Sequence, residues 1–162
     1  MSSKPSHPAV EPIYDPRYFP ILNHPYSRPH PILTLIYQHE LPNCPGKSIF
    51  SMLVTFPPNC STPPHTHPTA FVAVSVLSGH VFNKMNDNPM TIFGPGEVFF
   101  EGIGCRHRIS DNASETEEAK IVATMVLDTK VLEEKGIQGI LNVDEEWREI
   151  FMSEIVKRNR AA

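Results

Sequence analysis

Pro63-Pro64-His65-Thr66-His67-Pro68-Thr69-Ala70-Phe71, continued by the apolar run Val72-Ala73-Val74-Ser75-Val76-Leu77 to Gly79, decides how this chain reads. In extended backbone, side chains alternate with a period of two, so His65 and His67 fall on one face. Two imidazoles on one face can grip a single metal ion. A third, His107, lies in Gly104-Cys105-Arg106-His107-Arg108-Ile109, after a turn-rich connection. If a sheet crossing brings it alongside, the three form a site with open positions, the layout of a catalytic metal centre. The spacing alone leaves open an ordinary pair of surface or core histidines.

Short strands surround this stretch. Ile32 to Tyr37 and Ser48 to Phe56 are rich in β-branched and aromatic residues, and Pro57-Pro58-Asn59 stops the second. Ala70 to Val76 is almost wholly apolar, which predicts a strand buried on both faces or inside a barrel. His80 to Met85, Thr91 to Phe93, Glu97 to Glu101, His107 to Ser110 and Ala119 to Leu127 follow as strands. Corners at Gly79, Asn86-Asp87-Asn88-Pro89, Gly94-Pro95-Gly96 and Gly102-Ile103-Gly104 separate them, and Asp111 to Glu118 reads as a polar loop. Many short strands with Gly/Pro corners indicate an all-β sandwich or barrel.

The ends differ from the middle. Of 17 prolines, 15 fall at or before Pro68, and from Pro5 to Pro31 they recur too often for a helix. Tyr14, Tyr18, Phe19 and Tyr26 in this segment favour an arm that packs on a surface over a disordered tail. His7, His24 and His30 each adjoin a proline there and read as structurally incidental. At the other end, Trp147, Ile150, Phe151 and Ile155 recur at helical spacing, with Asp144-Glu145-Glu146 before them and Lys157, Arg158 and Arg160 after. That charge order suits the helix dipole, and the apolar stripe suits packing on the barrel. The expected organisation is a Pro-rich arm at 1–31, a barrel at 32–130 and a helical extension at 131–162.

Composition narrows the function. The 162 residues suffice for one domain with a full core. A formal net charge of −4 and a pI of about 6.0 give no basis for nucleic acid or an anionic membrane as partner. No apolar run approaches the ~20 residues of a membrane helix, and Met1-Ser2-Ser3-Lys4-Pro5 is not a signal peptide. Cys44, Cys60 and Cys105 are odd in number and lack C-x-x-C spacing, so a disulfide framework is not expected. Asn59-Cys60-Ser61 and Asn112-Ala113-Ser114 match the glycosylation sequon, which has no use without secretion. A cytoplasmic protein is the expectation.

The linked motifs resemble the cupin superfamily of small double-stranded β-barrels. The first cupin motif, G-x5-H-x-H followed by Glu and a closing Gly, is matched by His65, His67 and Gly79. Asn59 stands at the opening glycine, an exchange Asn tolerates because it accepts left-handed backbone. The second motif is matched by Gly96, Gly104 and His107, with Gly102 in place of proline and Asp111 in place of Asn. Sixteen residues separate Gly79 from Gly96, similar to the short spacer of single-domain cupins. The tract from Glu97 to Ser114 also resembles small microbial cupins. The likeness, over about Ser48 to Leu127, implies a cupin-type β-barrel (jelly roll) holding one divalent transition metal ion at His65, His67 and His107. Fe2+ is the first choice, with Zn2+, Mn2+, Ni2+ and Cu2+ as alternatives. The motif's Glu is missing, because Val72 occupies its place. Glu101, at the end of an apolar strand, is the candidate replacement, either as a ligand or as a catalytic acid/base whose pKa burial would raise.

These features lead to a metal-dependent enzyme acting on a small, largely apolar organic molecule, first an O2-dependent dioxygenase. A metal-assisted isomerase, dehydratase/lyase or decarboxylase using Glu101 is the alternative, and a non-catalytic ligand-binding cupin the second alternative. Cupins are commonly dimers, so a homodimer with the arm laid across the partner or the barrel seam is expected. Cys60 and Cys105 read as small hydrophobes, His39 as structural and His80 as exposed. Arg106 and Arg108 read as surface residues, within reach of an anionic substrate only if they turn inward.

Overall fold

Strands whose apolar residues alternate must bury one face and leave the other wet, and this requirement sets the architecture. The computed structural model describes residues 28–145, 147 and 148. In chain order they form β1 (Ile32–Glu40), β2 (Lys47–Phe56), β3 (Ser61–Thr62), β4 (His65–Thr66), β5 (Phe71–Ser78) and β6 (Val81–Met85). β7 (Thr91–Phe93), β8 (Val98–Glu101), β9 (Arg106–Asn112) and β10 (Ala119–Asp128) complete the barrel, followed by α1 (Thr129–Lys135), a 3-10 turn at Gly136–Gly139 and β11 (Asn142–Val143).

The strands lie in two antiparallel sheets. One is ordered β1-β2-β10-β5-β8, the other β11-β4-β9-β6-β7, with β3 paired to β9 beside it. Apart from the β1–β2 and β6–β7 hairpins and the short β3 and β4, successive strands cross between sheets, as in a jelly roll. Phe50, Met52, Val54 and Phe56 of β2 meet Val72, Val74 and Val76 of β5 and Ile121, Ala123 and Met125 of β10 in one core. Gly79, in left-handed backbone at φ 68°, closes the turn after β5. A Cβ there would stand 2.7 Å from Ala119 backbone, so only glycine fits.

Three sequence expectations need correction. Of the two expectations for β5, it lines the barrel with Val72, Val74 and Val76 and is not buried on both faces, since Phe71 and Leu77 are 45 % and 53 % exposed on the outer face. β9 runs through Asp111 and Asn112 into the stretch read as a polar loop. Both side chains are buried because their polar groups are satisfied. Asp111 accepts from Arg28 at 2.5 Å and from Ser61 at 2.8 Å. The Asn112 amide donates to the carbonyls of Phe56, Pro57 and Glu117. Between the barrel and the expected C-terminal helix, the chain also forms α1, the 3-10 turn and β11, which sequence periodicity gave no sign of. Glu145, Trp147 and Arg148 are helical, with Trp147 buried. The rest of the expected helix, and residues 1–27 of the expected arm, lie outside the described residues.

Candidate metal centre

His65 lies on β4 and His107 on β9, and these two residues are direct cross-strand partners. Their ring centroids are 5.1 Å apart, and the His67 ring stands edge-on to His65 at 5.2 Å. The His-x-His stretch turns inward after Asn59, which takes left-handed backbone at φ 57°, as the motif's glycine would. All three histidines are buried. The fold thus gathers all three histidines into one buried cluster.

Glu101 completes the cluster from another direction. It is the last residue of β8 and pairs directly with Val72 of β5. Direct partners across an antiparallel pair share a face. A carboxylate therefore stands one strand over from Val72, on the same face. Glu101 Oε2 lies 3.2 Å from His107 Nδ1 and 3.4 Å from His67 Nε2. The tightest donor set is His65, Glu101 and His107, whose ligand atoms lie within 4.8 Å of one another, with His67 reached through the carboxylate.

Hydrogen bonds fix two of the rings. His65 Nδ1 donates to the Pro63 carbonyl at 2.7 Å and His67 Nδ1 to the Ile140 carbonyl at 2.8 Å. A neutral imidazole protonated at Nδ1 presents an unprotonated Nε2, the form a metal requires. The Ile140 carbonyl comes from the segment after the 3-10 turn, so the C-terminal chain helps to orient His67. His107 Nε2 is buried without a hydrogen-bond partner, and His107 Nδ1 and Glu101 Oε2 face each other at 3.2 Å without good hydrogen-bond geometry. Orphaned donors of this kind, together with two locked imidazoles, fit a bound cation.

Electrostatics point the same way. Burial, reinforced by the neighbouring His107 and His67, lowers the His65 pKa to about 3. Burial also lowers that of His67, although Glu101 opposes the shift. Both imidazoles are neutral and available as ligands near neutral pH. Burial pushes the Glu101 carboxyl up, but the facing His107, His67 and His65 outweigh it and bring it to about 2. The expectation that burial would raise this pKa left out those imidazoles, and the group is a carboxylate at neutral pH.

The donors face a cavity of about 90 Å³ whose walls include Leu33, Met52, Val54, Phe56, Ile121 and Met125. Arg106 and Arg108 are outside it, paired with Asp144 and Asp87. Gln138 of the 3-10 turn lines the mouth, a residue without a sequence signal, since only the turn's position brings it there. Cys44, Cys60 and Cys105 are not joined in a disulfide, and none lines the cavity. No helix among the described residues is long and apolar enough to cross a membrane.

Comparison with known proteins agrees with the fold. The family model described as "Cupin domain" matches residues 52–125. An uncharacterized conserved protein with a double-stranded β-helix domain from Klebsiella pneumoniae is similar in structure, at 16 % identity and a TM-score of 0.51, over 74 % of this chain and 93 % of that one. The cupin domain of Cnp3 from Schizosaccharomyces pombe aligns at 18 % identity and a TM-score of 0.48, over 65 % of this chain and 68 % of that one. A predicted oxalate decarboxylase from Thermotoga maritima aligns at 18 % identity and a TM-score of 0.43, over 56 % and 91 %. At these identities the likeness concerns the fold. No curated protein matches the chain.

Proposed function

Because the chain belongs to the cupin superfamily, we propose that its buried donor cluster is a mononuclear metal centre and that the protein is an O2-dependent dioxygenase acting on a small, largely apolar organic molecule. One observation carries the reading: the compact trio His65, Glu101 and His107 is two imidazoles and one carboxylate. That donor set with open positions is typical of non-haem Fe2+ oxygenases. His67 is the fourth donor. Bound Fe2+ would supply oxygen activation. The protein's own part is preorganisation. The Pro63 and Ile140 carbonyls hold two rings in the ligating tautomer, Glu101 contributes one negative charge against the divalent ion, and the aliphatic wall keeps water from the reacting atoms.

Protein purified without added metal should contain about one transition metal per chain. His65→Ala and His107→Ala should each lose most of it, and His67→Ala should weaken it. The ferrous protein should bind nitric oxide with the EPR signal of a high-spin iron-nitrosyl, which requires iron with an open position. Full metal occupancy in all three single mutants would remove the centre. Iron without a nitrosyl signal would remove the oxygenase reading alone.

A second reading uses Glu101 as acid/base for an isomerase, dehydratase/lyase or decarboxylase. It is supported by the opening of the carboxylate onto the cavity. Turnover that persists without oxygen would select it. The non-catalytic alternative predicts ligand binding without turnover. The functional unit we propose is a cytoplasmic homodimer joined through the outer face of β5 and β8. There Phe71 and Phe100 stack 5.8 Å apart in the open, beside exposed Val98 and Leu77.

A further inference from the structure

The cavity is as informative in what it lacks as in what it holds. Its walls on β2, β5 and β10 are Met52, Val54, Phe56, Val72, Ile121 and Met125. Apart from the donor cluster, its polar side chains are Thr62, Ser110 and Gln138, all uncharged. The chain has 14 Lys and Arg residues, yet none of those described lines the cavity. Arg28, Arg106 and Arg108 are already paired, with Asp111, Asp144 and Asp87 respectively. A second charged group on a ligand would therefore lie against aliphatic carbon with no counter-ion, the arrangement that costs most on leaving water.

Size sets the other bound. A cavity of about 90 Å³, at ~10–15 Å³ for each water-sized centre, takes roughly six to nine non-hydrogen atoms. Among its described lining residues Gln138, in the 3-10 turn, is the exposed one, and this marks its mouth. We propose that the site takes a monopolar ligand, in which a chelating head confines all charge to the atoms facing His65, His107 and Glu101 and a neutral aliphatic tail of about four to six carbons fills the wall. Dicarboxylates and other doubly charged molecules are rejected. The head rests on the metal-centre reading above; the tail rests on the wall alone.

The full chain, loaded with Zn2+, is titrated calorimetrically with aceto-, butyro-, hexano- and octanohydroxamate and with succinic monohydroxamate. The last keeps the head of butyrohydroxamate and replaces its terminal methyl by a carboxylate. Affinity should rise by up to about fourfold for each added CH2, then level off between hexanoyl and octanoyl, where the tail reaches the mouth. Succinic monohydroxamate should bind at least tenfold more weakly than butyrohydroxamate. Ala123→Leu, which fills the cavity from β10, should cancel the gain between butyro- and hexanohydroxamate, with metal content as the control for folding. Val54→Ile serves if that variant does not fold. A flat alkyl series, or equal affinity for the charged tail, would overturn the proposal.

If the chain retains no metal, the metal-centre reading falls, and the tail is tested on the metal-free protein through the methyl NMR signals of Met52 and Met125. Saturable shifts with 1-hexanol and none with succinate would uphold the apolar tail site. Shifts with both, or with neither, would refute it.

Discussion

A carboxylate buried among imidazoles needs a compensating charge, because an isolated anion away from water neutralises or destabilises its surroundings. Glu101 stays ionised at neutral pH, which under the proposed metal-centre reading suits an anionic donor more than a proton donor. Glu101→Gln keeps the size and removes the charge. It should weaken metal binding by at least tenfold, measured by competition with a chelator, and lower turnover in step with occupancy. Normal metal content with turnover reduced by roughly 10²–10⁴ would instead make Glu101 the acid/base of the second reading. The same residues set the acid limit of the metal-free protein. His65, His67 and Glu101 all have folded pKa values below their ordinary ones, so the unfolded chain binds more protons as pH falls. Their contribution to stability is complete above about pH 6.5. It declines first through the histidines, then through Glu101 below about 4.5. The melting temperature of the metal-free protein should fall between pH 7 and pH 5, and His65→Asn should flatten that fall. A melting temperature that rises on acidification would contradict the assignment.

At the scale of elements, the pairing of β5 with β8 makes a sharper claim. Val72 and Glu101 are direct partners, and both line the cavity. The double exchange Val72→Glu with Glu101→Val returns the carboxylate to its usual cupin position. It should recover metal binding that Glu101→Val alone loses, with Val72→Glu alone placing two carboxylates in one site. Failure of the double variant to exceed the single Glu101→Val in metal content would show that the strand supplying the carboxylate matters more than its presence. Sequence reading reached much of this, for physical reasons. Alternation and Gly/Pro corners mark strands locally, and the spacing of His65, His67 and His107 survives any cupin register. The register of β8 against β5 is a long-range fact, so Glu101 could be suspected and not placed. Its pKa is not legible in the sequence because His65 and His67 reach it from β4 and the stretch after it, far away in the chain, and His107, six residues on, faces it only through the turn from β8 into β9. The mouth segment around Gln138 and Ile140 carries no period of three or two, and only its docking onto β4 through β11 gives it a role.

For the whole molecule, the two questions are what ties the N-terminal segment to the barrel and what covers the outer sheet. Arg28 answers the first. Its guanidinium bonds Asp111 at 2.5 Å and the carbonyls of Asn59 and Cys60, next to the stretch that carries His65. Asp111 is fully buried, so removing the cation breaks an ion pair inside the fold and leaves the carboxylate less compensated. Arg28→Met should therefore cost about 3–5 kcal/mol, a fall of roughly 10 °C in melting temperature at this chain length, and Asp111→Asn added to it should recover part of the loss. On the outer sheet, Phe71, Val98 and Phe100 stand beside Ala73, Ser75, Val122 and Thr124 with no charge among them. Two copies can meet there by a twofold rotation without placing like charges together. Light scattering should give the mass of two chains for the intact protein. Phe100→Lys places two ammonium groups near that axis and should halve the mass while leaving metal content unchanged. A chain beginning at Ile32 lacks Arg28 and should melt lower. If it also scatters as a monomer, residues before Pro31 take part in the contact; if it stays dimeric, the sheet face suffices. An unchanged mass in Phe100→Lys would show that the exposed aromatic pair has another purpose.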